Sequence, residues 1–421
     1  MKELLILGAG TAGTIMANKL RGRLPATEWR IRVVDETAEH FYQPGFLFLP
    51  FGLYTERDVV RPKRRFLPRG VELVQAVVDR IEPDRRRVRL ADGLELPYDV
   101  LLIATGTRPV PEQVEGMTDG DWRRGVHEFY TFEGARALQA ALRDWRGGRL
   151  VVHVSEMPIK CPVAPLEFAF LADWWLTEQG LRDKTELVYV TPLSGAFTKP
   201  IASQVLSGLL ERKRINVVTD FAVARVDNER HALVSWDERD VPYDLMVTVP
   251  PNLGADMIER SGLGDEMNYV PTDRHTLRAR GHEHIFVIGD ATDVPTSKAG
   301  SVAHFEAEVL TENVLAHIRG EPLPERFDGH ANCFIESGFG KGFLLDFNYH
   351  LEPVPGRFPF PRLGPLALLG ESRLNHLGKL AFKWIYWHVL LRGWPIPFVD
   401  HRMSLAGKQI PAGALKAEMA G

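Results

Sequence analysis

The amino-acid sequence predicts an α/β fold with two Rossmann-like domains followed by a separate C-terminal module. Three observations support this prediction. A glycine-rich turn joins the first apolar strand to a helix, a similar order of strands and helices occurs twice, and the residues after 320 follow neither pattern. A chain of 421 residues is long enough for two or three domains with a large buried core.

The first domain opens with an apolar strand and a glycine turn. Gly8 permits a tight turn, Gly10 lets a pyrophosphate approach the backbone, and Gly13 allows the helix to pack closely on the strand. The next strand, at residues 29–34, ends in Asp35, where a carboxylate is expected to bind ribose hydroxyls. Strand, helix and acid together predict a dinucleotide site.

The chain then alternates between short strands and turns and repeats this pattern later. Residues 71–106 are predicted to form a β-meander that closes with an apolar strand, Thr105 and Gly106. Residues 241–249 resemble residues 96–104, which indicates a second, related domain. A further strand ends in Gly289 and Asp290 and is predicted to return to the first domain.

Asp290 is placed to bind a polyol chain, and a helix predicted from about residue 301 would direct its positive end at an electron-rich ring. Between them lies Lys298, which the sequence leaves open as a cation beside that ring or a solvated loop lysine. The predicted domain bounds are 1–110 and 271–320 for the first domain, 111–270 for the second, and 321–421 for the C-terminal module.

The strand-to-helix corner of the second domain carries a cysteine where a nucleotide-binding half would carry glycines. Cys161 stands among Pro158, Pro162 and Pro165, between an apolar strand and a predicted helix. Such a corner is stiff, lacks the N–H donors that cradle a phosphate, and fixes a side chain. The following strand ends in Thr191 without an acid. The corner therefore predicts thiol chemistry and argues against NAD(P)H binding there.

Composition excludes several classes of function. Cys161 and Cys333 are too few for a disulfide framework or a structural zinc site, so no metal is predicted. A net charge of −4 gives no electrostatic case for nucleic acid. No apolar run is long enough to span a bilayer, and the first strand leaves no room for a signal peptide, which favours the cytoplasm.

The C-terminal module contains an aromatic helix candidate at residues 377–392. The helix is apolar on most faces but carries Lys379, Lys383 and Arg392. Such a helix fits a protein core or a membrane interface, and the aromatic segment 358–369 favours the interface. We therefore expect a peripheral protein on the cytoplasmic side of the cell membrane. The sequence leaves the oligomeric state open, a homo-oligomer included.

The motifs of residues 1–320 resemble those of a known superfamily. Gly8-x-Gly10-x-x-Gly13, Ala104-Thr105-Gly106 and Gly289-Asp290 resemble the FAD-binding set of the flavoprotein disulfide reductases, which have two dinucleotide-binding domains. Within this superfamily, the Lys160–Glu167 segment, the later Cys333 and the loop at Lys298 are similar to sulfide:quinone oxidoreductases. With these positions, the resemblance extends over the whole chain.

This resemblance implies that the protein oxidises sulfide and passes electrons through FAD to a membrane quinone. Cys161 and Cys333 would form the redox pair, with Cys333 facing the flavin and Cys161 carrying a persulfide. Glu167 would assist proton movement, although a carboxylate in a first helical turn also serves simply to complement the helix dipole. Lys298 would face flavin and quinone. The residues implied for FAD are Gly8, Gly10, Gly13, Asp35, Thr105, Gly106, Gly289 and Asp290.

Two departures from related families affect these implications. Some sulfide:quinone oxidoreductases have a third cysteine near the position of Tyr130, and this chain has none. Flavocytochrome sulfide dehydrogenases attach FAD through a cysteine near the position of Tyr42, so we expect FAD here without a thioether link. Three alternatives remain: an NADH:quinone oxidoreductase, a flavoprotein that oxidises a persulfide or carrier thiol, and a non-catalytic flavin-binding membrane scaffold.

Overall fold

The computed structural model describes residues 1–411. Its first sheet has five parallel strands. In spatial order these strands are β20 (Ile285–Val287), β9 (Val100–Ile103), β1 (Lys2–Leu7), β2 (Trp29–Asp35) and β5 (Val71–Gln75). The strand before Gly289 and Asp290 therefore does return to the first domain, as the sequence predicted.

The second sheet is also parallel and five-stranded. Its spatial order is β11 (Val126–His127), β18 (Leu245–Val249), β12 (Gly148–Val154), β13 (Thr185–Val190) and β14 (Asn216–Val218). The central strands of both sheets are buried on both faces, as expected of parallel sheets covered by helices.

Each half also carries a three-stranded antiparallel sheet, which is the repeat seen in the sequence. The first consists of β6 (Val78–Glu82), β7 (Arg87–Leu90) and β8 (Glu95–Pro97), the second of β15 (Val223–Asp227), β16 (Ala232–Ser235) and β17 (Asp240–Pro242). The predicted meander of residues 71–106 is only partly correct, because β5 and β9 are parallel strands of the main sheet and only β6, β7 and β8 pair antiparallel.

The described residues form eight α-helices. Their bounds are α1 (Thr11–Arg21), α2 (Glu56–Val59), α3 (Phe132–Asp144), α4 (Ala164–Glu178), α5 (Pro200–Arg212), α6 (Asp256–Arg260), α7 (Gly300–Arg319) and α8 (Arg373–His388). In α6, Met257 and Ile258 are buried with the core of the first sheet, although the sequence assigned residues 111–270 to the second domain. Nearby, β10 (Thr107–Pro109) pairs with β19 (Asn252–Gly254). The two segments in which the chain passes from one half to the other therefore lie side by side.

The glycine turn between β1 and α1 is sterically required. A Cβ at Gly13 would lie 1.9 Å from the Gly8 carbonyl oxygen, and a Cβ at Gly8 would lie 2.4 Å from the Ala104 carbonyl oxygen. Gly8 also has a φ of +96°, which side-chain-bearing residues rarely adopt. By contrast, a Cβ at Gly10 would meet no atom within 4 Å, so that position faces open space.

The C-terminal module is a four-stranded sheet with α8 against it. Its spatial order is β21 (Ala331–Gly338), β22 (Lys341–Phe347), β24 (Leu366–Leu368) and β23 (Gly356–Phe358). A further hairpin, β3 (Glu39–Phe41) with β4 (Val60–Pro62), lies in the first half. The predicted helix at 377–392 begins earlier, at Arg373, and ends at His388 before a short 3₁₀ turn.

The helices of residues 1–411 are each too short or too polar to cross a membrane. The predicted C-terminal module extends to residue 421, and its last ten residues lie outside the described part of the chain.

Candidate functional site

A cavity of about 390 Å³ lies at the carboxyl ends of the first parallel sheet and extends to the C-terminal module. Ligand sites are expected at this edge of an open parallel sheet. Its walls include nearly all the predicted cofactor residues, namely Gly8, Gly10, Asp35, Thr105, Gly106, Gly289 and Asp290. Gly13 lies within α1 and packs closely against the backbone of the turn at Gly8. Cys161, Glu167 and Lys298 line the same cavity.

Asp35 is held rigidly at one end of the cavity. Its carboxylate accepts hydrogen bonds from the backbone N–H of Ala9 at 2.6 Å and of Thr37 at 3.0 Å. The buried Lys63 ammonium forms an ion pair with the same carboxylate. The sequence predicted Asp35 but missed Lys63, because nothing in the spacing shows that strand β4 folds back over the end of β2.

The cavity fits the FAD that the motifs imply. Among residues 1–411, the buried hydroxyl oxygens of Thr105 and Thr107 have no hydrogen-bond partner, and both residues line the cavity. Gly10 faces open space at the start of α1, where backbone N–H groups attract phosphate. The first residue of α7, Gly300, also lines the cavity, so the positive end of that helix dipole faces it.

Lys298 is buried at the centre of the site, so it is not the solvated loop lysine that the sequence left open. Its ammonium donates hydrogen bonds to the carbonyl oxygens of Asp290 at 2.9 Å and Thr292 at 2.7 Å. Burial raises the pKa of the Asp290 carboxyl, and the charges of Lys298 and Lys160 oppose this shift. The site thus surrounds one acid with two buried cations.

Cys161 occupies the corner before α4 in the left-handed backbone region, with a φ of +48°. Its N–H donates to the Lys298 carbonyl at 2.7 Å, and its own carbonyl accepts from the N–H of Ala164 at 2.9 Å and the hydroxyl of Tyr130 at 3.1 Å. These bonds hold the unfavourable conformation. The proline-rich corner therefore fixes the thiol on the cavity wall, as the sequence predicted.

Cys333 lies on β21 and is almost completely buried. Its Sγ is 3.9 Å from the Ser297 hydroxyl. Both cysteines are free thiols, and burial raises the pKa of Cys161 to about 12 and that of Cys333 to about 11. We expected Cys333 to face the flavin; the structure places Cys161 among the cavity-lining residues and Cys333 outside them.

Glu167 and Lys379 form a buried ion pair beside the thiols. Glu167 Oε1 accepts hydrogen bonds from Lys379 Nζ and from the Glu336 backbone N–H, each at 2.8 Å. Lys379 Nζ also donates to the Phe334 carbonyl at 3.1 Å. Glu167 is only 1 % exposed, so it does more than complement the dipole of α4. A second carboxylate, Glu336, bonds the half-buried His376 at 2.8 Å.

The pKa values of this group follow from burial and mutual attraction. Burial raises the pKa of Glu167, while Lys379 draws it back. Burial acts to lower the pKa of Lys379, but the attraction of Glu167 and of Cys161 raises it above the ordinary lysine value. The positive charge of Lys379 partly offsets the rise that burial causes in the pKa of both thiols. In the structure, the cation that favours the thiolates is Lys379.

The sequence contained a signal for Lys379 that we interpreted differently. On α8, Lys379 lies four residues after the buried Asn375 and seven before the buried Tyr386, so all three share one face. We took the lysines of this helix as signs of a membrane interface. Lys379 instead bonds Glu167, and Lys383 forms an ion pair with Asp58 at 2.8 Å.

The sequence matches a known protein family. A family model described as pyridine nucleotide-disulphide oxidoreductase matches residues 2–307. The chain belongs to this family. The family implies FAD, and the residues that line the cavity fit it.

The relatives of this oxidoreductase match it over nearly its whole length. The mitochondrial sulfide:quinone oxidoreductase of Dictyostelium discoideum is 26% identical over 93% of this chain and 86% of its own. The mouse protein of the same description is 24% identical over 93% and 87%. The crystal structure of the sulfide:quinone oxidoreductase of Aquifex aeolicus has a TM-score of 0.79 at 21% identity and covers 94% of this chain and 92% of that one. The predicted resemblance is confirmed.

Removal of the Lys379 charge is expected to destabilise this oxidoreductase strongly. Lys379→Met leaves Glu167 buried without its cation, which costs about 3–5 kcal/mol of unfolding free energy. The matched control Lys383→Met breaks a pair whose side chains are 30% and 32% exposed, and costs less than about 1 kcal/mol. Urea unfolding measures both. Equal losses in the two variants would contradict the buried pair, whereas partial recovery in Lys379→Met with Glu167→Gln would support it.

The reactivity of Cys161 is expected to keep rising at high pH. With a pKa of about 12 the thiol is neutral below that pH, so the thiolate fraction grows about tenfold per pH unit through the alkaline range. Iodoacetamide labelling of the reduced, flavin-free protein, followed by mass spectrometry of the Cys161 peptide, measures this rise. Glutathione, with an ordinary thiol pKa, serves as the control. A labelling rate that levels off below about pH 9 would contradict the buried thiol.

Proposed function

We propose that this protein is a sulfide:quinone oxidoreductase that removes two electrons from sulfide through Cys161 and Cys333. The observation that carries the proposal is the grouping of Cys161, Glu167 and Lys379 on one wall of the cavity that fits FAD. Both cysteines also respond to the charges of Glu167 and Lys379, so all four groups form one electrostatic unit. Titratable groups whose pKa values are shifted by burial and by a specific charged partner are typical of functional sites.

The proposed reaction begins with a disulfide between Cys161 and Cys333. Hydrosulfide attacks one sulfur, the S–S bond breaks, and a persulfide forms on one cysteine while the other leaves as a thiolate. A second hydrosulfide then takes the outer sulfur and leaves as hydrodisulfide with loss of one proton. Closing the disulfide again releases two electrons, so two hydrosulfide ions give one hydrodisulfide, one proton and two electrons.

FAD, when bound, supplies the two-electron acceptor that passes these electrons to a membrane quinone. The residues of the chain do the rest. Lys379 stabilises the leaving thiolate through its positive charge, and Glu167, which lines the cavity, takes up the released proton. The carbonyl oxygen of Lys298 accepts a hydrogen bond from the Cys161 N–H and so fixes the cysteine. The ammonium of Lys298 is a buried cation beside Asp290.

We further propose that FAD is bound without a covalent link. Tyr42, at the position where related flavocytochromes carry a linking cysteine, is buried and packs on Tyr386 with ring centroids 4.7 Å apart. The affinity would come instead from the glycine turn, Asp35 and the N-terminus of α7. Acid precipitation that leaves the flavin in the pellet would contradict this.

Either cysteine substitution is expected to abolish flavin reduction by sulfide. Under anaerobic conditions the wild-type visible spectrum loses the oxidised flavin band with sulfide and regains it with decylubiquinone. Cys161→Ser and Cys333→Ser keep the band after sulfide, because neither can form the disulfide. Dithionite is the control, since it bleaches FAD in all three proteins. Bleaching of Cys161→Ser by sulfide at the wild-type rate would refute the cysteine pair.

The same titration separates the alternative functions. A yellow protein that is unaffected by sulfide but bleached by a small-molecule persulfide would identify a persulfide or carrier-thiol oxidase. Bleaching by NADH would favour an NADH:quinone oxidoreductase, which we disfavour because the corner before α4 holds Cys161 in place of a glycine turn. A flavin that none of these donors reduces would leave only a binding scaffold.

We propose that α8 attaches the protein to the cytoplasmic surface of the cell membrane. One face of the helix exposes Leu374, Leu377, Leu380 and Trp384, and the adjoining chain exposes Trp394 and Phe398. We call these exposed side chains together the α8 apolar face. Exposed patches of this kind mark interaction sites, and tryptophan favours the membrane interface.

Polar substitutions on this face are expected to weaken membrane binding without unfolding the protein. Leu377→Ser with Trp384→Ser removes two exposed side chains, 56% and 62% accessible, and reduces affinity for phosphatidylcholine vesicles at least about tenfold. Trp236→Ser, on a 76% exposed tryptophan after β16, is the matched control and has no effect. Truncation before Gly378 is a poorer test, because it also removes Lys379. Unchanged sedimentation of the double variant would refute the face.

A further inference from the structure

A basic segment of the chain takes no part in the cavity chemistry beyond Lys63. Residues 57–69 contain a single acidic side chain, Asp58, among many cations. Apart from the buried Lys63, these cations are Arg57, Arg61, Arg64, Arg65 and Arg69. All are exposed except Arg61, which is half-buried. We call residues 57–69 the basic segment.

The positive charge of the basic segment is not balanced by the protein. Asp58, its only acid, is neutralised by Lys383 at 2.8 Å. Within residues 1–411, the side chains of the exposed arginines Arg57, Arg64, Arg65 and Arg69 form neither an ion pair with a carboxylate nor a hydrogen bond. The uncompensated charge is therefore available to an anion from outside.

A second arginine-rich stretch of the same chain shows the opposite arrangement. In the sheet formed by β6, β7 and β8, Arg85 pairs with Glu82 at 2.7 Å and Arg87 pairs with Glu95 at 2.9 Å. The exposed arginines of this sheet thus have carboxylate partners. Within residues 1–411, the exposed arginines of the basic segment lack such partners.

The basic segment lies on the flank of α8. The Trp387 indole N–H donates to the Asp58 carbonyl at 3.2 Å, the Phe66 ring stacks on Trp387 at 5.1 Å, and the Arg61 guanidinium lies 4.5 Å from the same ring. On the helix, Lys383 and Trp387 each follow a residue of the α8 apolar face by three positions, so they are its neighbours on the helix surface. The basic segment therefore packs beside the helix that carries the apolar face.

We propose that the basic segment binds the phosphate groups of anionic phospholipids while the α8 apolar face enters the membrane interface. The inference rests on the proposed membrane association and names the lipid class that it selects. Arginine suits this role because its planar guanidinium binds phosphate oxygens in a bidentate manner. In a bilayer, charged headgroups lie next to apolar acyl chains. Unpaired arginines beside an exposed apolar face match this arrangement. A free phosphate ion could bind the guanidinium groups but would make no contact with the membrane-facing apolar side chains.

The test is flotation of the flavin-loaded protein with two kinds of vesicle, phosphatidylcholine alone and phosphatidylcholine mixed with phosphatidylglycerol. Wild type is expected to bind the mixed vesicles at least about tenfold more tightly. Arg64→Gln with Arg65→Gln loses most of this preference but keeps the wild-type affinity for pure phosphatidylcholine. Arg85→Gln with Arg87→Gln, which removes two exposed but paired arginines, is the matched control and keeps the preference.

The outcomes separate this inference from the membrane proposal on which it rests. Equal binding of wild type to both vesicles overturns the headgroup inference and leaves membrane association intact, whereas no binding to either overturns both. The inference is also overturned if Arg64→Gln with Arg65→Gln keeps the full preference for the mixed vesicles. An equal loss of that preference in the Arg85→Gln with Arg87→Gln control overturns it as well. Inorganic phosphate is also added to the protein without vesicles, and specific binding of phosphate over chloride at equal ionic strength that is lost in Arg64→Gln with Arg65→Gln would overturn the lipid assignment in favour of a free-phosphate site.

Discussion

The buried ion pair between Glu167 and Lys379 connects the parts of the molecule that make the site. Glu167 belongs to α4, directly after the Cys161 corner, and Lys379 belongs to α8. Through the Glu336 N–H, the same carboxylate binds β21, the strand of Cys333. Because an isolated buried charge is very costly, the two helices and the strand must assemble together. The positions of both cysteines thus depend on one interaction.

A second connection ties the inserted half to the first. The Cys161 N–H donates to the Lys298 carbonyl, while the Lys298 ammonium bonds the carbonyls of Asp290 and Thr292 at the end of the first sheet. One lysine therefore contacts the cysteine corner with its backbone and the cofactor edge with its side chain. This explains why a buried loop lysine stands between strand and helix: it satisfies backbone groups that would otherwise be left unpaired.

The two faces of α8 serve different purposes. Lys379, Tyr386 and Trp387 face the protein, where Tyr386 forms 2.7 Å hydrogen bonds with Thr11 and His40 at the cavity wall. The opposite face exposes leucine and tryptophan. The helix that completes the cavity is therefore also the helix that presents apolar surface, and the basic segment packs beside it.

The sequence by itself determined the parallel-sheet architecture, the glycine turn with Asp35, the returning strand before Asp290 and the cysteine corner. These features are local, because turns, apolar periodicity and short motifs are encoded by neighbouring residues. It did not determine the partners of those residues. Lys379 lies 212 positions from Glu167, and the pattern of its helix also fits a membrane interface.

Only the tertiary structure decided which charges meet, because pairing of buried ions depends on how distant elements pack and not on spacing along the chain. It placed Cys161 on the cavity wall, gave the thiols Lys379 as their cation, and separated the inner from the outer face of α8. Motifs therefore determined where the chemistry lies, and long-range packing decided which side chains assist it.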